Sequence, residues 1–499
     1  MKAFLMYRDR DFDLQARLPW NEQALTQDLE LETLFNAMAR DDRFLYDVAR
    51  KAILSSLSDL DTILYRQDIL KDCIRNSAAV RDIYSIAIES IQSEKKVYWG
   101  LFTKYPDMIL HRAIDVLQIF LGMLKRLRAI ADNCSDNFES EGFTAFFTML
   151  KKELGDEYFD SVEDHLKVLK FRNGVLVSAQ LGKGNKGTDY VLRRPRENRQ
   201  GWVRRLAARR APVYSFAIAD RDEGGARALS ELKDRGLNLV ANALAQSADH
   251  ILSFFTMMRT ELAFYIGCLN LYERLAQIGG PICFPVPVAS GERRHSFEGL
   301  YDVCLALTME RGVVGNDLNA DNKELVIITG ANQGGKSTFL RSIGLAQLMM
   351  QCGMFVPAKF FCANTCKGLF THYRREEDAA LKSGKLDEEL ARMSEIADNI
   401  TSDSMLLLNE SFAATNEREG SEIARQIVSA LVDRHIKVFF VTHLYEFARG
   451  ICDKRMESAI FLRAERQADG TRTFRLIEGE PLQTSYGEDL YGRIFGAED

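Results

Sequence analysis

A glycine-rich stretch with one lysine and two hydroxyl residues carries the clearest chemistry in the chain. Residues 329–338 read T-G-A-N-Q-G-G-K-S-T and fit the pattern G-x-x-x-x-G-K-[ST]. Glycines let backbone N–H groups close around phosphate oxygens, the lysine reaches the β- and γ-phosphates, and the first hydroxyl can ligate Mg²⁺. The stretch predicts a site for ATP and Mg²⁺ made by Gly330, Ala331, Asn332, Gln333, Gly334, Gly335, Lys336, Ser337 and Thr338.

The residues on either side predict the elements that this loop must join. Residues 325–328 are four consecutive aliphatic residues, typical of a buried strand, and apolar residues recur at helical spacing from Phe339 to Met350. A strand, the loop and a helix, in that order, are the setting that the motif requires. The alternative, an ordinary glycine-rich turn, is disfavoured by these flanking elements.

The loop resembles the T-G-x-N-x-G-G-K-S-T loop of the MutS family of DNA-mismatch ATPases. Further stretches resemble segments of that family in the same order: V-G-N-D at 314–317, G-M-F-V-P-A at 353–358, M-L-L-L-N-E at 405–410 and F-V-T-H at 440–443. Together they extend from about residue 284 to the C-terminus. The resemblance implies an α/β ABC-type P-loop ATPase domain over residues 280–499.

By this resemblance, two residues downstream take catalytic roles. MutS relatives have Asp-Glu where this chain has Asn409 and Glu410; the Asp supports Mg²⁺ and the Glu polarises the attacking water. Glu410 is therefore the candidate water-positioning residue, and His443 lies where the family has a γ-phosphate sensor. Asn409 could support Mg²⁺ through a bound water but lacks the negative charge. Weakened hydrolysis and no hydrolysis are both compatible with that amide.

Two other segments depart from the family pattern. Residues 383–387, S-G-K-L-D, replace the family's S-G-R-S-T, which reaches the partner's nucleotide across a dimer; Leu386 and Asp387 lack its hydroxyls. Residues 415–420, T-N-E-R-E-G, replace S-T-x-D-G before a helix predicted over 421–433. Asn416 and Glu419 either stand in for that family segment or cap the helix.

The first half of the chain predicts helices interrupted by an insertion. After an N-terminal segment (1–30), scarce prolines and apolar residues three and four apart predict an all-α core domain over 31–169. Glycines and alternating residues predict a small β-rich insertion over 170–222, which by the resemblance is clamp-like. Residues 223–279 predict lever helices that Gly236 could interrupt. Residues 61–73 resemble the R-Q-centred helix of the MutS core, or are simply an amphipathic bundle helix.

The insertion holds a dense run of positive charge. Between residues 183 and 210 there are ten cations and two acids, in a chain whose net charge is −6. Binding to a phosphate backbone needs such a patch, and MutS relatives carry a DNA-gripping clamp between long helices; a solvated charged face is the alternative. The candidate DNA contacts are Lys183, Lys186, Arg193, Arg194, Arg196, Arg199, Arg204 and Arg205.

Composition excludes several classes of protein. With 46% hydrophobic and 27% charged residues, no apolar run of 18 residues and no signal-peptide pattern, we expect a cytoplasmic protein without a membrane segment. The nine scattered cysteines predict reduced thiols. Cys362 and Cys366 form C-x3-C with no second pair nearby, which favours buried thiols over a metal site.

The resemblance implies an ATP-dependent DNA-binding homodimer in mismatch repair or in processing of recombining or branched DNA, with nucleotide state controlling its grip. No F-x-E occurs in the first hundred residues and no helix-turn-helix tail precedes Asp499, so mismatch reading by the family's usual wedge is not expected. The alternative is a non-repair scaffold with weak or no hydrolysis and a protein partner. An SMC-like or transporter ATPase is disfavoured, because no L-S-G-G-Q string separates Ser337 from Glu410.

Overall fold

The computed structural model describes residues 1–97, 105–171, 174–193, 214–219, 221–331, 333–375, 384–467 and 472–482. The fold is mixed α/β and mainly helical. None of the described helices combines the length and the apolar content that a bilayer crossing requires. The helices are α1 (Glu22–Asp28), α2 (Leu31–Ala39), α3 (Arg43–Leu54), α4 (Leu60–Arg75), α5 (Ser77–Lys96), α6 (Pro106–Cys134), α7 (Glu141–Glu153), α8 (Asp156–Leu169), α9 (Glu223–Ile278), α10 (Val303–Met309), α11 (Lys336–Gln351), α12 (Lys385–Asn399), α13 (Glu417–Asp433) and α14 (Tyr445–Asp453).

The strands of the described residues form three sheets. They are β1 (Val177–Leu181), β2 (Gly187–Leu192), β3 (Val286–Val288), β4 (His295–Leu300), β5 (Asn316–Asn319), β6 (Leu325–Thr329), β7 (Phe360–Asn364), β8 (Leu369–Tyr373), β9 (Met405–Asn409), β10 (Lys437–Val441), β11 (Ala459–Arg466) and β12 (Arg472–Glu478). The strand orders are β1-β2, β3-β7-β4-β5 and β12-β11-β6-β10-β9-β8.

The chain forms two compact units. Unit 1 comprises residues 1–3, 82–136 and 145–259, and unit 2 comprises residues 4–81, 137–144 and 260–499. This division differs from the predicted domains, because residues 31–81 of the predicted helical core lie in the same unit as the predicted ATPase domain. Sequence pattern identifies the helices of the predicted core domain, but it does not show which elements they pack against.

In unit 1 a hairpin packs on the first part of α9. An added Cβ at Gly236 would lie 2.8 Å from Val177 of β1, so the glycine permits close approach of the hairpin. The expected interruption at Gly236 is wrong, since α9 continues through it for 56 residues, roughly 84 Å of helix. Strands β1 and β2 pair antiparallel, with Val177 opposite Leu192, inside the stretch predicted to be β-rich.

The core of unit 2 is the six-stranded sheet. Strands β8, β9, β10, β6 and β11 run parallel, and β12 is antiparallel to β11. Every residue of β6, β8 and β10 is buried, which explains why β6 reads as a continuous aliphatic run rather than as an alternating pattern. Apolar residues of α13 and α14, including Val428 and Phe447, cover one side of this sheet.

The R-Q pair of α4 binds backbone carbonyls elsewhere in unit 2. Arg66 is buried and donates from Nε to the carbonyl of Met6 (2.9 Å) and from a terminal nitrogen to that of Cys352, just after α11 (3.3 Å). Gln67 donates from Nε2 to the carbonyl of Pro285 (3.1 Å). The pair therefore does more than pack an amphipathic helix, because it satisfies carbonyls of three separate segments.

Candidate nucleotide site

The ends of neighbouring parallel strands bring the predicted site residues together. Val441 of β10 pairs with Ile328 of β6 and with Asn409 of β9, and Asn409 pairs with Tyr373 of β8. The residues that follow these strands therefore emerge at one edge of the sheet. Ligand sites in parallel α/β sheets lie at this carboxyl edge.

Backbone geometry explains the glycines of the phosphate-binding loop, which we define as residues 329–338. Gly330 and Gly335 have φ of 116° and 87°, in the left-handed region that favours glycine. An added Cβ at Gly334 would lie 2.8 Å from the side chain of Ala464 in β11. Helix α11 begins at Lys336, so its N-terminus faces the loop and favours an anion there. Asn332 lies outside the described residues.

Lys336 is held inside the loop. Its side chain is 4% exposed, and its Nζ donates to the carbonyls of Gly330 and Ala331, both at 2.9 Å. Burial lowers the pKa of Lys336 to about 8, and the nearby Glu410 carboxylate opposes that shift. Below this pH the amine carries its charge at the place where the motif positions the β- and γ-phosphates.

Ser337 and Asn409 are in direct contact. The Ser337 hydroxyl donates to Asn409 Oδ1 at 3.0 Å. Both supply neutral oxygens, which suit Mg²⁺, a cation that keeps several waters and takes few protein ligands. In the part of the chain that the structure describes, no group of three or more His, Cys, Asp or Glu residues could hold a metal ion. The pair fits Mg²⁺ bound mainly through nucleotide oxygens and water.

Glu410 and His443 form a second pair at the same edge. His443 Nε2–H donates to Glu410 Oε1 at 3.1 Å. This bond lowers the pKa of Glu410; burial opposes the shift, and the charges of Lys336 and Arg374 add to it. Glu410 is therefore ionised at neutral pH. Its φ of 53° is in the left-handed region, a strained conformation of the kind that clusters at functional sites.

A buried histidine that the sequence analysis missed fixes the residue after Glu410. His372 Nδ1 lies 2.7 Å from the Ser411 hydroxyl, and Nε2–H donates to the carbonyl of Glu389 in α12 at 3.0 Å. Burial lowers the pKa of His372 to about 4, so the ring is neutral and Nδ1 carries no proton. The one hydroxyl hydrogen of Ser411 faces both Nδ1 and the carbonyl oxygen of His372, each 2.7 Å from the hydroxyl oxygen. These two residues lie 39 positions apart, and neither belongs to a motif that would have marked them.

A cleft of about 680 Å³ opens beside the loop, a size typical of small-molecule sites. Its lining includes Tyr301, Leu305, Met309, Gln333, Thr338 and Phe474. Asn316, in a segment that resembles the family, positions Phe474 by donating to its carbonyl (3.4 Å) and accepting from the Leu476 N–H (2.8 Å). Phe474 itself lies on β12, far along the chain from the loop, and the sequence analysis did not select it.

The two segments that depart from the family pattern lie at the N-termini of helices. Helix α12 begins at Lys385, so Leu386 and Asp387 lie in its first turn rather than in a loop; Ser383 lies outside the described residues. Helix α13 begins at Glu417, four residues before the predicted start. Asn416 caps it by accepting from the Glu419 N–H at 3.0 Å, and the Thr415 hydroxyl donates to the Glu419 carboxylate at 2.6 Å. The capping interpretation of Asn416 is therefore supported.

The predicted DNA contacts lie in unit 1, as far as they can be described. Lys183, Lys186 and Arg193 are exposed on or beside the β1–β2 hairpin. Arg193 donates from Nε to the Ser178 hydroxyl at 2.8 Å, which keeps it next to β1. Arg194, Arg196, Arg199, Arg204 and Arg205 lie outside the described residues.

Cys362 and Cys366, the predicted buried thiols, are both buried. Cys366 Sγ lies 3.0 Å from Gln351 Oε1, and burial raises the pKa of this thiol to about 12. A protonated thiol is a poor metal ligand, because metals bind the thiolate.

Comparison with known proteins covers most of the chain. The MutS2 N-terminal domain family matches residues 58–278, and MutS domain V matches residues 326–491. The chain is 33% identical to the DNA mismatch repair protein MutS of Thermotoga neapolitana over 214 residues, which is 42% of this chain and 26% of that protein. It is 25% identical to the MutS of Clostridium kluyveri over 447 residues, 80% of this chain and 50% of the relative.

A third relative carries the same name. The MutS of Thermotoga maritima is 37% identical over 161 residues, 32% of this chain and 20% of that protein. The chain thus spans half the length of these relatives or less. The two family matches lie in chain order, and the second includes the whole phosphate-binding loop, Asn409, Glu410 and His443. The chain belongs to the MutS family.

Proposed function

We propose that the chain is a MutS-related, ATP-dependent DNA-binding protein that hydrolyses ATP. The observation that carries this proposal is the convergence of Lys336, the Ser337–Asn409 pair and the Glu410–His443 pair at one edge of the sheet. A phosphate-binding cation, a metal-compatible oxygen pair and an ionised carboxylate with an orienting histidine are the parts that phosphoryl transfer to water requires.

In this proposal each residue has a separate role. Lys336 exchanges its two carbonyl acceptors for phosphate oxygens, while the loop N–H groups bind the same phosphates. Ser337 and Asn409 would hold Mg²⁺, which neutralises charge on the phosphates when bound. Glu410 orients the attacking water and accepts its proton, and His443 holds the carboxylate in place.

The cleft beside the loop suits the nucleoside part of ATP. Its lining is mainly apolar, and the exposed Phe474 offers an aromatic face close to Gly335, where an added Cβ would lie 3.5 Å from Phe474. A purine ring would stack on that face while the phosphates enter the loop. Because Gly335 has no side chain, the passage between the cleft and the phosphate-binding loop stays open.

DNA is the proposed macromolecular partner, and a homodimer the proposed assembly. Support comes from the relatives named as DNA mismatch repair proteins and from the exposed cations of the hairpin. We place the activity in mismatch repair or in processing of recombining or branched DNA, with nucleotide state controlling the grip.

A second candidate function rests on Asn409. An amide in place of a carboxylate weakens support for Mg²⁺, so ATP could act as an assembly signal on a scaffold that binds protein and hydrolyses slowly.

ATP turnover measured alone and with plain, mismatched and branched duplexes separates the two candidates. The DNA-binding ATPase predicts turnover that at least one duplex stimulates severalfold. Turnover that stays negligible with every duplex, together with undetectable DNA binding, would favour the scaffold and contradict the proposal.

A further inference from the structure

Arg374 lies at the carboxyl edge of the sheet, and the proposed function has so far given it no role. Arg374 directly follows β8, and its backbone N–H donates to the carbonyl of Asn409 at 2.9 Å. This bond places Arg374 level with Glu410, which follows β9. The Arg374 guanidinium then turns toward the site, with a terminal nitrogen 3.8 Å from Glu410 Oε2.

Two neighbouring arginines show what a purely structural role looks like in this region. Arg375 pairs with the buried Asp28 at 3.2 Å, and Arg392 donates to the carbonyl of Tyr373 at 3.1 Å. Arg374 differs from both. Among the residues that the structure describes, its guanidinium has the ion pair with Glu410 but no side-chain hydrogen bond, and it is 48% exposed.

Charge at this edge favours an incoming anion. Asn409 is neutral, so Glu410 is the acidic partner that Lys336 and Arg374 share there. A separation of 3.8 Å is too long for a hydrogen bond, which leaves the guanidinium donors available to a stronger acceptor. Phosphate oxygens are such acceptors, because a guanidinium matches them with two parallel N–H donors.

Distance decides which phosphate Arg374 can meet. Strand β8 is separated from β6 by β10 and β9, which places Arg374 roughly 14 Å from the strand that leads into the phosphate-binding loop. Its side chain extends back as far as Glu410, the residue proposed to orient the attacking water. The contact available to it is therefore the outermost phosphate, on the side of the attacking water.

We propose that Arg374 binds the γ-phosphate of ATP and so makes the site distinguish ATP from ADP. The inference rests on the proposed nucleotide site and adds a second cation at its outer end, opposite Lys336. In this role Arg374 supplies part of the positive charge that Mg²⁺ would otherwise supply at the terminal phosphate. When ATP enters, the Arg374 guanidinium exchanges its ion pair with Glu410 for the phosphate, and the Glu410 carboxylate is then free to face water.

Nucleotide affinities provide the test, because they do not depend on turnover. ATP and ADP binding are measured by calorimetry, with Mg²⁺ and with EDTA, for the wild type, Arg374→Ala and Arg374→Lys. The matched control is Arg434→Ala, an exposed arginine after α13, before β10 and so at the opposite edge of the sheet. We expect Arg374→Ala to weaken ATP binding about tenfold or more and ADP binding less than twofold. The loss should be larger in EDTA, and Arg374→Lys should lie between.

Equal losses for ATP and ADP, or an unchanged ATP affinity in Arg374→Ala, would overturn the assignment. Lys336→Ala keeps this outcome separate from failure of the nucleotide site itself. If Lys336→Ala abolishes binding of both nucleotides while Arg374→Ala shows no preference, only the role of Arg374 is wrong. If the wild type binds neither nucleotide, the proposed function fails first.

Discussion

The phosphate-binding loop and the β1–β2 hairpin both combine glycines with cations, but they hold those cations differently. In the loop, Lys336 is buried and makes two hydrogen bonds to carbonyls five and six residues earlier. In the hairpin, Lys183 and Lys186 are exposed, and neither has an ion pair with any residue that the structure describes. A buried cation acts through one defined geometry, whereas exposed cations act mainly through their number.

Single substitutions should be more informative in the loop than in the hairpin. Removing a buried cation that contacts the ligand removes a specific interaction, so the effect should be large and confined to one ligand. Removing an exposed cation subtracts one screened charge from a sum, so the effect should be small and salt-dependent.

Lys336→Ala should have the largest effect. It removes the charge and the donor at the β- and γ-phosphates, so we expect ATP affinity to fall by at least about a hundredfold, since buried charge-assisted hydrogen bonds are the strong ones. Calorimetric titration measures the loss, and Lys359→Ala, an exposed lysine on the same unit, is the control. Unchanged affinity would refute the loop as the nucleotide site.

Changes at Glu410 and Asn409 should act on turnover rather than on binding. Glu410→Gln removes the ionised acceptor for the water proton, and we expect turnover to fall by about 10² to 10⁴.

Asn409→Asp restores a negative charge beside Ser337. It should raise turnover and lower the Mg²⁺ concentration needed for half-maximal rate. Steady-state phosphate release measures both. If the wild type and the two variants turn over at one rate, the reaction is not centred on this pair.

The pH dependence of ATP affinity should report Lys336 directly. Burial holds the pKa of Lys336 at about 8 in the nucleotide-free protein, so the charged form predominates below that pH and is lost as the pH rises through it. We expect ATP affinity to be level up to about pH 7.5 and then to fall, approaching about tenfold per pH unit. Lys336→Arg stays charged over this range and should show a flat profile. A wild-type profile without this decline would contradict the role of the amine.

Sequence reasoning succeeded where one short segment carries the site. The loop and its flanking strand and helix were predictable because glycine, lysine and hydroxyl residues have to stand at fixed spacing, and the resemblance to the MutS family is confirmed. The helical first half followed from periodicity in the same way, whereas the mixed α/β architecture was implied by the family resemblance. Glu410 and His443 remain predictions about catalysis, although the structure brings them into contact.

It failed where contacts join residues far apart in the chain. Three contacts depend on the order of strands in the sheet, which local pattern does not reveal. They are His372 with Ser411, Phe474 beside the cleft, and Arg374 beside Glu410. The packing of residues 4–81 with the ATPase part of the chain was missed for the same reason. Continuity of α9 through Gly236 shows the opposite case, in which packing against Val177 explains a glycine that sequence alone suggests is a break.

The hairpin should give the smallest effect. If Lys183, Lys186 and Arg193 neutralise phosphates, changing all three to Glu should weaken DNA binding equally for every sequence. The plot of log affinity against log salt should become flatter by up to about 0.9 for each phosphate that is no longer neutralised.

The control variant changes three exposed lysines outside the hairpin to Glu and has the same change of net charge. These lysines are Lys152, Lys359 and Lys454. Equal slopes in the wild type and the hairpin variant would remove these residues from the DNA interface, whereas equal flattening in hairpin and control variants would show that net charge alone is measured. ATP affinity should not change in either variant, because the phosphate-binding loop already holds its own cation through local hydrogen bonds.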